Sequence, residues 1–341
     1  MRILVCEFVT GGGMPADEPI PAGLAHEGDL MLRALVDDLL EVPAVEVVVT
    51  RDARLAPMPP RVPSITVNGP DEAWALWKEL AGTVDAVWPI APETAGALER
   101  LSRLVDAAGC RLLNSRADAV AIAASKAATT ATLAAAGIPV VPAWRVEDMN
   151  EPPDDGPWVV KPDDGAGCVD TRLLRDYVEW VRWRAASERA GFVVQPFIPG
   201  APASLSMLCR DGQAWLLTVN RQHVVLFGSS FVYRGGVVGG MAASPAFSDL
   251  AQGIAGAMPG LFGYVGVDFV ATTGGPLVLE VNPRLTTSYI GMRRAAGLNV
   301  AAAVLDLLRE PPAAPVPLDR PVDRIEPVSF HLEPTAWETT A

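Results

Sequence analysis

The sequence predicts two folds in succession: an α/β domain built on a parallel sheet, then an α+β domain whose sheet is largely antiparallel. Three observations carry this expectation. Over residues 1–115, short apolar runs alternate with stretches of helical periodicity, the pattern of a parallel sheet covered on both faces. From Trp158 onward strand-like runs dominate, and Asp211-Gly212 between two of them is a hairpin signal. At 341 residues the chain is long enough for about two domains.

Taken in order, residues 2–9 read as a buried strand ending in the turn Gly11-Gly12-Gly13. Leu24, Met31, Leu32, Leu35, Val36 and Leu39 recur at helical spacing as far as Leu40, and residues 45–49 are strand again. A strand over 65–67, a helix over 71–80, a strand over 84–90 and a helix over 93–107 complete a first domain at residues 1–115. An alanine-rich helical stretch then runs to Ala136, and the acidic, proline-rich loop 151–157 marks a hinge. Strands are expected at 158–161, 192–195, 203–210, 213–221, 264–271 and 276–282, with helices over 173–184 and 299–308. Residues 116–190 and 191–310 would form a small and a large subdomain, and 311–341 a proline-rich arm.

Lys and Arg number 27 against 40 Asp and Glu, a net charge of −13 with no basic run to override it. Binding to nucleic acid or to an anionic membrane surface is therefore not expected. A polyphosphate can still be held by a few placed cations, by glycine-loop amides or by a carboxylate-bound metal. Cys6, Cys110, Cys168 and Cys209 lie far apart with no CxxC spacing, which favours reduced thiols over disulfides or zinc. Neither a signal-type apolar segment nor a long uncharged apolar stretch stands out, so a cytoplasmic protein is expected.

The sharpest local signal is Leu277–Arg284, where Glu280 and Asn282 are two apart on a strand and share a face. Asp268 lies in an earlier strand-like run. Pairing of the two strands would gather three oxygen donors, a set suited to Mg²⁺, with Mn²⁺ as a substitute. The alternative is a set of inward polar residues satisfied by hydrogen bonds. Lys161 ends a strand ahead of Asp163-Asp164-Gly165-Ala166-Gly167, either as part of a phosphate cradle or as a lysine snorkelling into a turn. Lys126 stands alone in the alanine-rich stretch.

Lys126, then Val160-Lys161-Pro162 before a glycine loop, then Gln195-Pro196-Phe197-Ile198-Pro199-Gly200, then Asp268, then Glu280-Val281-Asn282-Pro283-Arg284 resemble, in that order, the ATP-grasp superfamily. The first domain resembles the pre-ATP-grasp domain that precedes it. The resemblance implies a carboxylate–amine ligase that uses ATP and Mg²⁺ and forms an acyl phosphate and ADP, acting on small-molecule amino acid and amine substrates; it also admits a homodimer. Adenine would be read at the hinge by the Pro196 carbonyl and the Ile198 N–H, with Gln195 and Phe197 beside them. Lys126 and Lys161 would meet the phosphates under a lid carrying Asp163, Gly165 and Gly167. Asp268, Glu280 and Asn282 would hold the metal, and Arg284 the transferred phosphoryl group.

The chain departs from the family pattern at Gln195, where many relatives have an acid, and at Gly266, where some peptide-forming relatives have an arginine. Arg284 or Arg234 would supply that charge. The opening Glu7-Phe8-Val9-Thr10-Gly11-Gly12-Gly13, the pair Glu27-Gly28 and the run Asn282–Tyr289 are similar to the tyramine–glutamate ligases of methanofuran-type cofactor synthesis. That likeness implies substrate contacts at Glu7, Gly12, Glu27, Thr286, Thr287, Ser288 and Tyr289, the tyrosine offering an aromatic face to a phenolic amine.

Gly11, Gly13 and Ala16 formally fit the dinucleotide pattern GxGxxA, but Pro15, Pro19 and Pro21 prevent a helix from starting there. No GxxxxGK[ST], GxSxG or HExxH is present. A nucleotide-binding module without catalysis is the other class, and it would be favoured by loss of Asp268 or Glu280; both are present.

Overall fold

A computed structural model describes residues 1–186, 189–309 and 325–332. The first sheet holds five strands in the order β3-β2-β1-β4-β5, all parallel: β1 Arg2–Glu7, β2 Glu46–Asp52, β3 Ser64–Val67, β4 Ala86–Ile90 and β5 Arg111–Leu112. Five of the six residues of β1 and all five of β4 are buried, as continuous apolar runs in a covered parallel sheet should be. Helices α1 Ala22–Leu40, α2 Pro70–Ala81 and α3 Ala97–Ala107 connect them. Pro70 opens the first turn of α2, Asp71 and Glu72 face its positive end, and Lys78 its negative end. The two-residue strand β5 has no counterpart in the sequence reading, being too short to show a period.

The alanine-rich stretch forms two helices, α4 Ala117–Ala123 and α5 Lys126–Ala135, broken where Ser125 caps α5 by accepting the Ala128 N–H. The second sheet has ten strands. Its main path runs β14-β13-β10-β11-β12-β8-β7-β9-β6, every pairing antiparallel, and β15 Val328–His331 adds to β12. The strands are β6 Trp144–Arg145, β7 Trp158–Pro162, β8 Arg172–Leu174, β9 Phe192–Pro196, β10 Ala201–Arg210, β11 Gln213–Phe227, β12 Ser230–Met241, β13 Gly263–Thr272 and β14 Gly275–Asn282. Residues 231–240, rich in glycine and given no element by the sequence, lie in β12; glycines obscured the β-branched and aromatic residues between them. The helix expected over 173–184 is α6 Tyr177–Ala185, preceded by β8, and Pro245–Ala257 forms α7, which the sequence reading left out. β9 pairs with β7 and β6, so the strand before the hinge lies on the small-subdomain side. Of the expected arm, residues 325–332 are described; the rest lies outside the described residues.

Strand alternation sorts the second sheet into two faces. Ala203, Leu205, Met207, Val265, Val267 and Phe269 bury one face in a single apolar cluster with Ile254 of α7 and Leu133 of α5. The intervening residues Ser204, Ser206, Gly266 and Asp268 point the other way. On that side α8 Tyr289–Ala296 and α9 Val300–Asp306 pack against α1 of the first domain. There the Tyr289 hydroxyl donates to Asp38 Oδ2 at 2.8 Å, Arg293 meets Asp38 Oδ1 at 3.0 Å, and Asn299 Nδ2 donates to the Asp38 carbonyl at 2.8 Å. Burial pushes the Asp38 carboxyl up, opposed by Tyr289 and Arg293. Replacing Tyr289 by Phe deprives a buried carboxylate of a donor, so we expect a loss of about 1–3 kcal/mol in urea unfolding. An unchanged midpoint would show that Arg293 satisfies Asp38 alone.

Candidate functional site

The site forms where the polar face of β13 and β14 meets β7 and the start of α5. Asp268 and Glu280 are direct cross-strand partners, followed by a bulge between Asp268 and Phe269. Like charges so placed repel. Burial raises Asp268 well above the usual carboxylate range, and the Glu280 charge raises it further, while Gln222 Nε2 at 2.8 Å and Asn282 Nδ2 at 3.4 Å oppose the shift. Burial pushes Glu280 upward too, but Lys126, Lys161 and Arg284 outweigh it and hold Glu280 ionised. Asp268 is therefore the more readily protonated of the two carboxylates. The donor set of two carboxylates and one amide fits a hard cation that retains several waters; no group of three or more His, Cys, Asp and Glu among the described residues is placed to hold a metal ion.

Lys126 Nζ lies 3.5 Å from Glu280 Oε2 and donates to the Asp163 carbonyl at 3.3 Å and to the Gly165 carbonyl. Lys161 is 8% exposed, and burial, together with Lys126, lowers its pKa against the pull of Glu280. A lysine so enclosed beside charges is not snorkelling to water. Asp163 does something other than expected. Its carboxylate accepts the Ala127 N–H at 2.9 Å and the Ser125 hydroxyl at 2.7 Å, and its carbonyl accepts the Lys126 N–H at 3.1 Å. It is a clasp on the first turn of α5 and fixes Lys126, so its expected place in the phosphate lid is corrected. Gly165 and Gly167 continue the loop, Gly167 with φ +64°, a left-handed conformation that glycine adopts without strain. The next residue's thiol, Cys168, is pushed up to about 12 by burial.

At the hinge, the Phe197 N–H donates to the Pro157 carbonyl at 2.8 Å, and Pro196, Phe197 and Ile198 are half-buried. Gln195 is fully buried and its Nε2 donates to the Val141 carbonyl at 3.2 Å. Its side chain therefore ties β9 to the core and is not free for the expected ligand contact, a second correction.

Arg284 is half-buried, with Nη2 2.8 Å from Oε2 of Glu93, a buried residue of the segment after β4 in the first domain. Burial favours loss of its proton, and Glu93, then Glu280 and Asp268, more than compensate. Thr286 and Thr287 bond to the Tyr264 and Tyr233 hydroxyls at 3.2 and 3.1 Å. The Tyr233 phenol is raised by burial, with added pushes from Asp268 and Glu27, which puts Glu27 of α1 within electrostatic reach of the cleft. Arg234 neighbours Tyr233 on β12 and is half-buried. A Cβ at Gly266 would stand 2.6 Å from Thr286 Cγ2, so an arginine there has no room unless Thr286 moves.

Several expected substrate contacts are structural instead. Glu7 is buried and accepts from the Thr10 N–H at 2.5 Å, the Thr10 hydroxyl at 2.6 Å and the Val9 N–H at 3.3 Å. Gly12 packs against Val67, where a Cβ would approach to 2.3 Å. Tyr289 is 2% exposed and spent on Asp38, so it has no open face for a ligand, and Ser288 is buried at the start of α8. Glu93, Gln222 and Tyr233 were missed. For Glu93 there was a signal, a carboxylate just past the carboxyl end of a parallel strand, where ligands of open α/β sheets bind; Gln222 and Tyr233 depend on pairings across the sheet and left none.

A parallel α/β domain followed by an antiparallel sheet that gathers two lysines, two facing carboxylates and an arginine defines a nucleotide-dependent class of protein. Residues 45–120 match the pre ATP-grasp 3 domain and residues 123–288 the ATP-grasp domain, together most of the chain. The chain belongs to the ATP-grasp superfamily. Among solved structures it is similar to an ATP-grasp superfamily protein from Archaeoglobus fulgidus (TM-score 0.68, 23% identity, 89% of this chain and 88% of that one). It is also similar to D-alanine–D-alanine ligase from Bacillus anthracis (0.63, 18%, 91% and 96%) and to L-amino acid ligase from Bacillus licheniformis (0.65, 16%, 96% and 77%). At these identities the likeness is one of fold. In sequence, 108 residues are 30% identical to tyramine–L-glutamate ligase from Methanocaldococcus jannaschii, a match spanning 30% of this chain and 32% of that enzyme. No helix among the described residues is long and apolar enough to cross a membrane.

The raised Asp268 carboxyl has a measurable consequence. A carboxyl whose folded pKa is raised loses stability for the protein as pH rises through that pKa. Asp268→Asn should therefore raise the melting temperature of the ligand-free protein, more at mildly alkaline than at mildly acidic pH. Equal melting temperatures throughout would mean that Asp268 carries no strain.

Proposed function

We propose that the protein is an ATP-dependent carboxylate–amine ligase that activates its carboxylate as an acyl phosphate and releases ADP. The observation that carries this reading is the convergence of Lys126, Lys161 and Arg284 on the facing pair Asp268 and Glu280. A carboxylate is a poor electrophile, so phosphorylation must come first, and phosphoryl transfer asks for positioning and charge neutralisation rather than a protein nucleophile. Lys126 and Lys161 would take the phosphate oxygens, each buried enough for its charge to act at low dielectric. Asp268, Glu280 and Asn282 would hold Mg²⁺, with Gln222 fixing the orientation of Asp268. When bound, Mg²⁺ would neutralise charge on the phosphates. Arg284 would meet the transferred group. Adenine would lie at the hinge against the main chain of Pro196 and Ile198.

For substrates, the partial match to tyramine–L-glutamate ligase supports glutamate as the activated acid and tyramine or tyrosine as the amine. In this reading the protein serves methanofuran-type cofactor synthesis, and Glu27, Tyr233, Arg234 and Thr287 line the substrate side of the cleft. The deciding assay is ADP release over a panel of amino acid and amine pairs with Mg²⁺ and ATP. We expect glutamate with tyramine or tyrosine to exceed either alone; another pair giving the signal would move the protein to a different ligase specificity. ADP and phosphate should be the products, and AMP with pyrophosphate would refute the acyl-phosphate route. Glu280→Gln should lower turnover by a factor on the order of 10² or more.

A further inference from the structure

Glu93 and Arg284 come from different domains and meet through a single contact, Arg284 Nη2 to Glu93 Oε2 at 2.8 Å. Glu93 Oε1 and Arg284 Nε are both buried and have no hydrogen-bond partner in the structure. An arginine–carboxylate pair serving only as a tie between domains is commonly two-pronged. Here one oxygen and one N–H are left over in a buried place, where an unused polar group is costly. Arg284 Nη1 donates to the Leu285 carbonyl at 3.1 Å, so Glu93 and that carbonyl each hold one corner of the guanidinium while Nε stays uncommitted.

The segment that carries Glu93 also touches the glycine loop. Thr94 Oγ1 donates to the Asp164 carbonyl at 3.0 Å, and the Ala95 N–H donates to Asp164 Oδ2 at 3.1 Å. Ala95 has φ +54°, a left-handed conformation unusual for a residue with a Cβ, and it aims that N–H at the loop. Three consecutive residues of the first domain thus reach both sides of the cleft, Arg284 after β14 and the loop after β7.

We propose that Glu93 is a positioning residue for Arg284, orienting the guanidinium so that its free N–H groups face the group being transferred; this rests on the ligase reading above. The test compares Glu93→Gln, Arg284→Ala and the double variant, using ATP, Mg²⁺ and whichever substrate pair the wild type accepts. Glu93→Gln should lower kcat by a factor on the order of 10 to 10², with KM for ATP within about twofold of wild type. In the Arg284→Ala background the same change should cost nothing more. A second measurement needs no turnover: phenylglyoxal labelling of Arg284, read by peptide mass, should speed up in Glu93→Gln at unchanged melting temperature. Multiplying kinetic effects, or an Arg284 that stays protected, would overturn the proposal. If Glu93→Gln does not fold, Glu93→Asp keeps the charge but shortens the reach, and the same readouts apply. If no substrate pair yields ADP from the wild type, the ligase reading fails and labelling alone decides whether Glu93 holds Arg284.

Discussion

The structure is organised around the cost of placing Asp268 and Glu280 opposite each other on adjacent buried strands. Two carboxylates so placed repel, and burial removes the water that would screen them. What surrounds them answers that cost. Lys126 and Lys161 come from the other side of the cleft, Arg284 from the turn after β14, and Gln222 and Asn282 donate to Asp268. The repulsion that remains shows in the raised Asp268 carboxyl, which the proposed Mg²⁺ would relieve.

Much of the remaining architecture serves to hold those cations still. Lys126 would swing freely on a helix end, but Asp163 binds the first turn of α5 and so couples the lysine to the loop after β7. The first domain contributes as well. Asp38 is the common partner of Tyr289, Arg293 and Asn299. That contact secures the segment following Asn282-Pro283-Arg284 against α1.

Legibility in the sequence followed the range of the interactions. Asp268, Glu280 and Asn282 could be brought together because strand alternation and one short connection fix their relation. The parallel sheet was equally plain, since its strands are unbroken apolar runs. Residues whose role depends on a distant partner read differently. Tyr289 looks like a ligand-facing aromatic until Asp38, 251 positions earlier, is seen to occupy it. Glu7 beside a glycine turn looks like a substrate contact, yet its oxygens are consumed by residues two and three places on. Asp163 sits in a lid-like sequence, but its carboxylate is taken up by the first turn of α5. The strand β12 was hidden by its glycines, whose β-pairing comes from neighbours and not from propensity.

The crowding of Gly266 against Thr286 also constrains how this cleft can change over time. Any side chain at residue 266 collides with the threonine methyl group before its own chemistry matters. A descendant acquiring an arginine there would first have to shrink or displace Thr286, and with it the hydroxyl that bonds Tyr264. The two positions are thus coupled in order: a change at residue 286 opens the way to a larger residue 266, whereas the reverse order meets the clash first.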